Sequence, residues 1–182
     1  MRHLAPALVA TLLASGVSWA DEPAHRPVEA VSSVDLERYL GTWFEIASTP
    51  MFFTRGCHAS TATYSARDDG DIRVVNACRR GGLDGEPSQV EGKAWVPDAS
   101  GPGELKVQFQ WPFSDDYWII ELGGDYEYAV VGHPDRAYLW VLAREPWMEP
   151  ALYDAILLRM AAVGYDPSQV VKTPQVVSGT RK

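Results

Sequence analysis

Residues 39–47 read Tyr39-Leu40-Gly41-Thr42-Trp43-Phe44-Glu45-Ile46-Ala47, and the alternation within this stretch decides the fold class. Bulky aromatic and β-branched residues follow the glycine with a period of two, the pattern of a half-buried strand rather than a helix. Trp43, Glu45 and Ala47 fall on one face, Phe44 and Ile46 on the other. Upstream, Val34 to Leu40 reads as a short entry segment. Downstream the pattern stays β, with candidate strands at 57–66, 72–79, 89–96, 104–110, 117–122, 126–132 and 137–143 after a first one at 42–48. Clusters rich in Gly, Pro, Asn or Asp separate most of them. Eight short strands joined by short hairpins favour an up-and-down barrel, because a Greek key needs a long crossing connection.

The pattern changes once. Leu152, Ile156, Met160 and Val163 recur at helical spacing, Pro150 suits a first turn and Gly164 a stop. The expected fold is therefore all-β: an eight-stranded antiparallel up-and-down β-barrel with one C-terminal α-helix packed on its outside, against Phe44 and Ile46. A last short strand, Val170 to Thr173, is expected to rejoin the sheet.

The 182 residues are 46% apolar and 22% charged, an ordinary globular composition. Sixteen basic against 24 acidic residues give a net charge of −8 with no basic cluster, which excludes nucleic acid and disfavours anionic membrane surfaces as partners. Arg2 and His3, the apolar run Leu4 to Val17 and the small residues before Asp21 form a secretory signal over 1–20, cleaved near Ala20. Residues 21–32 read as a flexible leader, 33–175 as the domain and 176–182 as a polar tail. Cys57 and Cys78 are the two cysteines, and an exported chain makes them a disulfide by default. The hairpin turn at Asp68-Asp69-Gly70-Asp71 places Ser60 opposite Cys78, so a bulge or bend must bring Cys57 into reach.

Signatures of covalent chemistry are thin. The four histidines (3, 25, 58 and 133) are scattered, no G-x-S-x-G elbow appears, and Gly101-Pro102-Gly103 lacks the rest of a dinucleotide loop. The expectation is no metal, no cofactor and no enzyme activity. His58, sharing a strand face with Ser60, is the one candidate for catalysis.

Gly41-x-Trp43 within the opening stretch resembles the first-strand signature of the lipocalins, in the form seen in bacterial lipocalins and apolipoprotein D. Tyr138-Leu139-Trp140-Val141-Leu142-Ala143-Arg144-Glu145-Pro146 resembles the end of the last barrel strand in that subgroup, and Thr61-Ala62-Thr63-Tyr64-Ser65 and Val90-Glu91-Gly92-Lys93-Ala94 match in content and order. The likeness covers roughly residues 33 to 175. It implies a structural pair, Arg144 lying across the Trp43 ring to close the narrow barrel end. It also implies a ligand class: fatty acids and lysophospholipids, in storage or transport of membrane lipids.

An eight-stranded barrel is just wide enough for side chains or one small ligand. On the alternation, Ala47, Ser60, Ala62, Tyr64, Gly92, Ala94, Val107, Phe109, Trp140 and Leu142 face the hollow, joined by Leu105. The small residues among them leave volume unfilled. Strands six and seven, where Trp118, Ile120 and Val130 are the inward candidates, are apolar on both faces. Phe52, Phe53 and Arg55, with His58 and Trp111, are expected at the cavity mouth, Arg55 placed to meet a carboxylate or phosphate. The reading is an exported binding protein for a fatty acid or lysophospholipid, monomer or dimer, in transient contact with membrane. The alternative is an enzyme acting on a hydrophobic ligand in the same barrel. The expected location is periplasmic or secreted, with outer-membrane association as in relatives but without a lipid-attachment Cys, since Asp21 stands at that point.

Overall fold

The computed structural model describes residues 25–97 and 100–177, so the expected signal over 1–20 lies outside the described residues. The elements run α1 (Leu36–Tyr39), β1 (Gly41–Ser48), β2 (Cys57–Ala66), β3 (Ile72–Arg80), β4 (Glu86–Trp95), β5 (Glu104–Gln110), β6 (Phe113–Leu122), β7 (Tyr128–Gly132), β8 (Leu139–Ala143), α2 (Pro150–Ala162) and β9 (Val171–Lys172). Strands β1 to β8 pair in chain order, all antiparallel, and β1 pairs with both β2 and β8, which closes the barrel.

Two apolar clusters divide the molecule. The outer one packs Tyr153, Ile156 and Met160 of α2 with Ile46, Ala47, Val130, Leu139 and Val141 on the barrel's outer face. The inner one gathers Tyr39, Trp43, Tyr64, Val74, Leu105, Ile119, Val131 and Leu142. Helix α2 starts with Pro150 at its first position and ends in a Schellman motif: Tyr165 N–H donates to Met160 O at 3.1 Å and Gly164 N–H to Ala161 O at 3.0 Å. That motif needs a positive φ, and Gly164 supplies it at 93°. Arg159 grips both carboxylate oxygens of Glu121 from the helix, at 2.9 and 2.5 Å.

Three expectations are corrected here. Phe44 lies outside the cluster beneath α2, where Ile46 and Tyr153 do the packing. Residues 25–32 are no loose leader, because Val28 is buried and Val31 N–H donates to Ile119 O at 2.7 Å. Finally, Ile119, Ala129 and Val131 supply the inner face of β6 and β7, while Trp118, Ile120 and Val130 pack outward.

Cys57 and Cys78 are disulfide-bonded, their Cα atoms 5.4 Å apart. Registers Thr61↔Ala77 and Cys57↔Arg80 differ by one residue, so β2 carries one extra residue in between, and Ala59 there has φ 48°. That bulge brings Cys57 within reach.

The narrow end is tied by Arg144. Its guanidinium lies 3.8 Å from the Trp43 ring centroid and donates to the carbonyls of Thr42, Arg38 and Tyr39 at 3.1, 2.7 and 3.2 Å. Trp43 Nε1 donates to Tyr39 O at 2.8 Å. Gly41 has φ 96°, and a Cβ there would stand 3.3 Å from the guanidinium. Arg144→Met keeps the chain's bulk but leaves those carbonyls short of donors and removes the cation over the indole. It should cost about 2–4 kcal/mol in urea unfolding. Cys57→Ser should cost about 3 kcal/mol, read as a lower midpoint with an unchanged far-ultraviolet spectrum.

Candidate functional site

Above the tied end the barrel holds a cavity of about 640 Å³. Its floor is aromatic. Tyr117 Oη lies 2.8 Å from Tyr39 Oη and 2.7 Å from Tyr64 Oη, a chain of three hydrogen-bonded phenols. Burial pushes all three hydroxyls up, Tyr64 to about 12, so they stay protonated at neutral pH. Two hydrogen bonds use two of the three protons, and Tyr64 and Tyr117 both stand in the cavity wall.

The middle of the wall comes from Ala62, Val74, Asn76, Ala77, Val107, Trp140 and Leu142. Small residues on β2 and β3 face the larger rings of β8, and the space between them is the cavity. Asn76 Oδ1 is buried there with no hydrogen-bond partner among the described residues, an acceptor available to a donor on a guest. Higher up, Met51, Phe53 and Thr54 of the β1–β2 turn, the Cys57–Cys78 bridge, Ser60, Arg80, Phe113, Asp115 and Tyr138 surround the opening.

Ser60, Ala62, Tyr64, Val107, Phe109, Trp140 and Leu142 are thus in the cavity wall. Ala47 is not. The β1–β8 register slips between Glu45 and Ala47, and Ala47 turns outward to oppose Val141 under α2. Nor does Gly92 open volume: its Cβ position lies 2.7 Å from Phe109 Cδ1, so the Phe109 ring occupies that space. Ala94 and Leu105 are buried in the inner cluster rather than along the cavity wall.

At the mouth, Phe53 stands in the wall, whereas Phe52 and Trp111 project beyond it into solvent. Arg55 leans over Phe52, 5.8 Å from its ring centroid. The β2 bulge breaks the alternation that joined His58 to Ser60. His58 Nδ1 instead sits 3.2 Å from Gly56 O, and the residue is outside the wall.

One polar group reaches the cavity from the seam of the barrel. Strand β1 pairs with β2 only over residues 41–44, and beyond that the C-terminal segment fills the gap. Thr173 N–H donates to Ile46 O, Ala59 N–H to Pro174 O, and Gln175 Nε2 to the carbonyls of Glu45 and Ser60. Glu45 faces the cavity, and its Oε1 accepts from Thr173 Oγ1 at 2.5 Å and Ser48 Oγ at 3.1 Å, with no contact to Arg144. Burial raises its pKa above the usual carboxyl value, against the pull of the two hydroxyls.

A raised carboxyl pKa means that the fold favours the protonated form. The stabilisation from that proton is full at acidic pH and is lost as pH rises through the folded pKa. Glu45→Gln keeps the accepting oxygen without the charge. It should raise the melting temperature at pH 8, and the gain should vanish near pH 4.

A family model described as a lipocalin-like domain matches residues 34–175. The outer membrane lipoprotein Blc of Escherichia coli K12 is 38% identical over 175 residues, covering 96% of this chain and 98% of Blc. Temperature-induced lipocalin-1 of Arabidopsis thaliana is 37% identical over 82% of this chain and 84% of its own. Apolipoprotein D of Bos taurus is 35% identical over 69% and 68%. Among solved structures, insecticyanin of the tobacco hornworm Manduca sexta superposes with a TM-score of 0.66 at 19% identity, over 84% of this chain and 86% of that one, a likeness of fold.

Proposed function

The chain belongs to the lipocalin family and is a binding protein for hydrophobic small molecules, and on that premise we propose that its guest is a fatty acid or the acyl chain of a lysophospholipid. The observation that carries the reading is the cavity itself: about 640 Å³, apolar along its middle and open at one end. Pockets that hold small ligands fall in this size range. Burying about ten methylenes at about 0.8 kcal/mol each gives roughly 8 kcal/mol before ordering costs, sufficient for micromolar binding.

The polar groups suit such a guest. Tyr64, Tyr117 and Asn76 offer a few hydrogen bonds inside, and Arg80 and Ser88 stand near the mouth where a head group would rest. The guest is carried, not converted. His58, the sequence's candidate for chemistry, is turned from the cavity, which supports the carrier over an enzyme on the same barrel. Export by the signal over residues 1–20 would put the protein in the periplasm or outside the cell. Its bacterial relatives in Escherichia coli and Vibrio cholerae are named outer membrane lipoproteins, which fits that direction.

Native mass spectrometry of protein purified from its source should show mass additions of fatty acyl species, identified in a lipid extract. An empty barrel that displaces no fluorescent fatty acid would refute the carrier. Trp140→Ala, removing a ring from the cavity wall, should change the affinity for a fluorescent fatty acid about tenfold while the barrel stays folded.

A further inference from the structure

Aromatic side chains that nothing among the described residues covers surround the cavity mouth. Phe52 and Trp111 are 84% and 83% exposed, Phe113 73% and Phe53 64%. They come from two connections, the β1–β2 turn and the β5–β6 hairpin. Phe53 and Phe113 stand in the cavity wall, so the four rings border one opening. Single exposed apolar residues are ordinary, but four gathered on one rim form a contact surface.

On the reading that a lipid occupies the barrel, we propose that this rim is a docking face for a zwitterionic phospholipid surface, into which the four rings insert while the acyl chain passes between them. Charge complementarity selects this occupant. The net charge of −8 sets the chain against an anionic bilayer. The rim itself carries both signs: Arg55 and Arg80 on one side, Asp115 on β6 on the other, none in an ion pair among the described residues. Arg80 Nη1 donates to the carbonyls of Phe53 and Arg55 at 3.1 and 3.2 Å, which fixes the turn that presents Phe52 and Phe53. Separated guanidinium and carboxylate groups match head groups that carry a phosphate and an ammonium. Indole rings favour the boundary between head groups and acyl chains.

A second copy of the chain fits this face less well. Four rings at these exposures offer roughly 600 Å², short of the about 800 Å² per partner of a stable interface. A protein seated on them would also close the exit. A lipid surface is at once the cover and the source of the guest.

The test is flotation of the mature chain with vesicles of phosphatidylcholine, beside vesicles enriched in phosphatidylglycerol. The variant is Phe52→Ser with Trp111→Ser, two rings outside the cavity wall. The chain should float with phosphatidylcholine, and more than with phosphatidylglycerol. The variant should float about tenfold less, while its affinity for a monomeric fluorescent fatty acid stays within about twofold. No flotation of the parent chain, or equal flotation of the variant, overturns the proposal. So does a dimer in sedimentation equilibrium that the double substitution dissociates. Flotation intact with no fatty-acid binding upholds the docking face and refutes the lipid-carrier reading instead.

Discussion

The structure depends on being shut at one end and not at the other, and one guanidinium ties the packed, strand-paired narrow end together. Arg144, from the residue after β8, lies over Trp43 of β1 and takes up carbonyls from α1 and β1. A cation withdrawn from water needs such partners, and burial holds its pKa below the ordinary arginine value. With three donated hydrogen bonds and an aromatic face, the group is matched, and the first and last strands of the barrel are fixed to one another. The tie adds to the β1–β8 ladder and to the buried inner cluster, and the space above it is left hollow.

The hollow has its own physical reason. Strands β2 and β3 present Ser60, Ala62 and Ala77 to the inside, while β8 presents Trp140 and Leu142. Small residues facing large ones leave a gap displaced to one side. A barrel of eight strands is just wide enough to be filled by side chains or to hold one small ligand, and the small residues here leave the second outcome. At the floor the gap ends on three tyrosines whose two mutual hydrogen bonds engage two of their three hydroxyl protons, so that polar atoms lie in an apolar interior largely matched to one another. At the seam the barrel is incomplete by strands alone. Residues 171–175 finish the wall, and Glu45, the acidic group that meets them, faces the guest's space.

Within β1, one alternating run gave the right face for Trp43 and Glu45 and the wrong one for Ala47. The reason is local. A period-two reading is valid only as far as the register is unbroken, and the slip between Glu45 and Ala47 inverts every later side chain. The β2 bulge at Ala59 does the same to His58, and it also brings Cys57 to Cys78. Gly92 failed differently: the absence of a side chain was read as empty space, whereas a ring from the neighbouring strand had taken it. Tyr39 and Tyr117 carried no signal. The first lies in a one-turn helix and the second on a strand apolar on both faces, so their meeting at the floor depends on barrel closure.

The sequence alone determined the strand order, the single outer helix and the disulfide, because each rests on local periodicity or on the count of cysteines, while the Trp43–Arg144 pair came from the resemblance to the lipocalins and not from any pattern within one strand. Only the tertiary structure decided which residues meet across the hollow, how the seam is finished and where the bulges fall. Those depend on contacts between residues 53 to 130 positions apart in the chain, and on backbone irregularities of one residue that no pattern of hydrophobicity records.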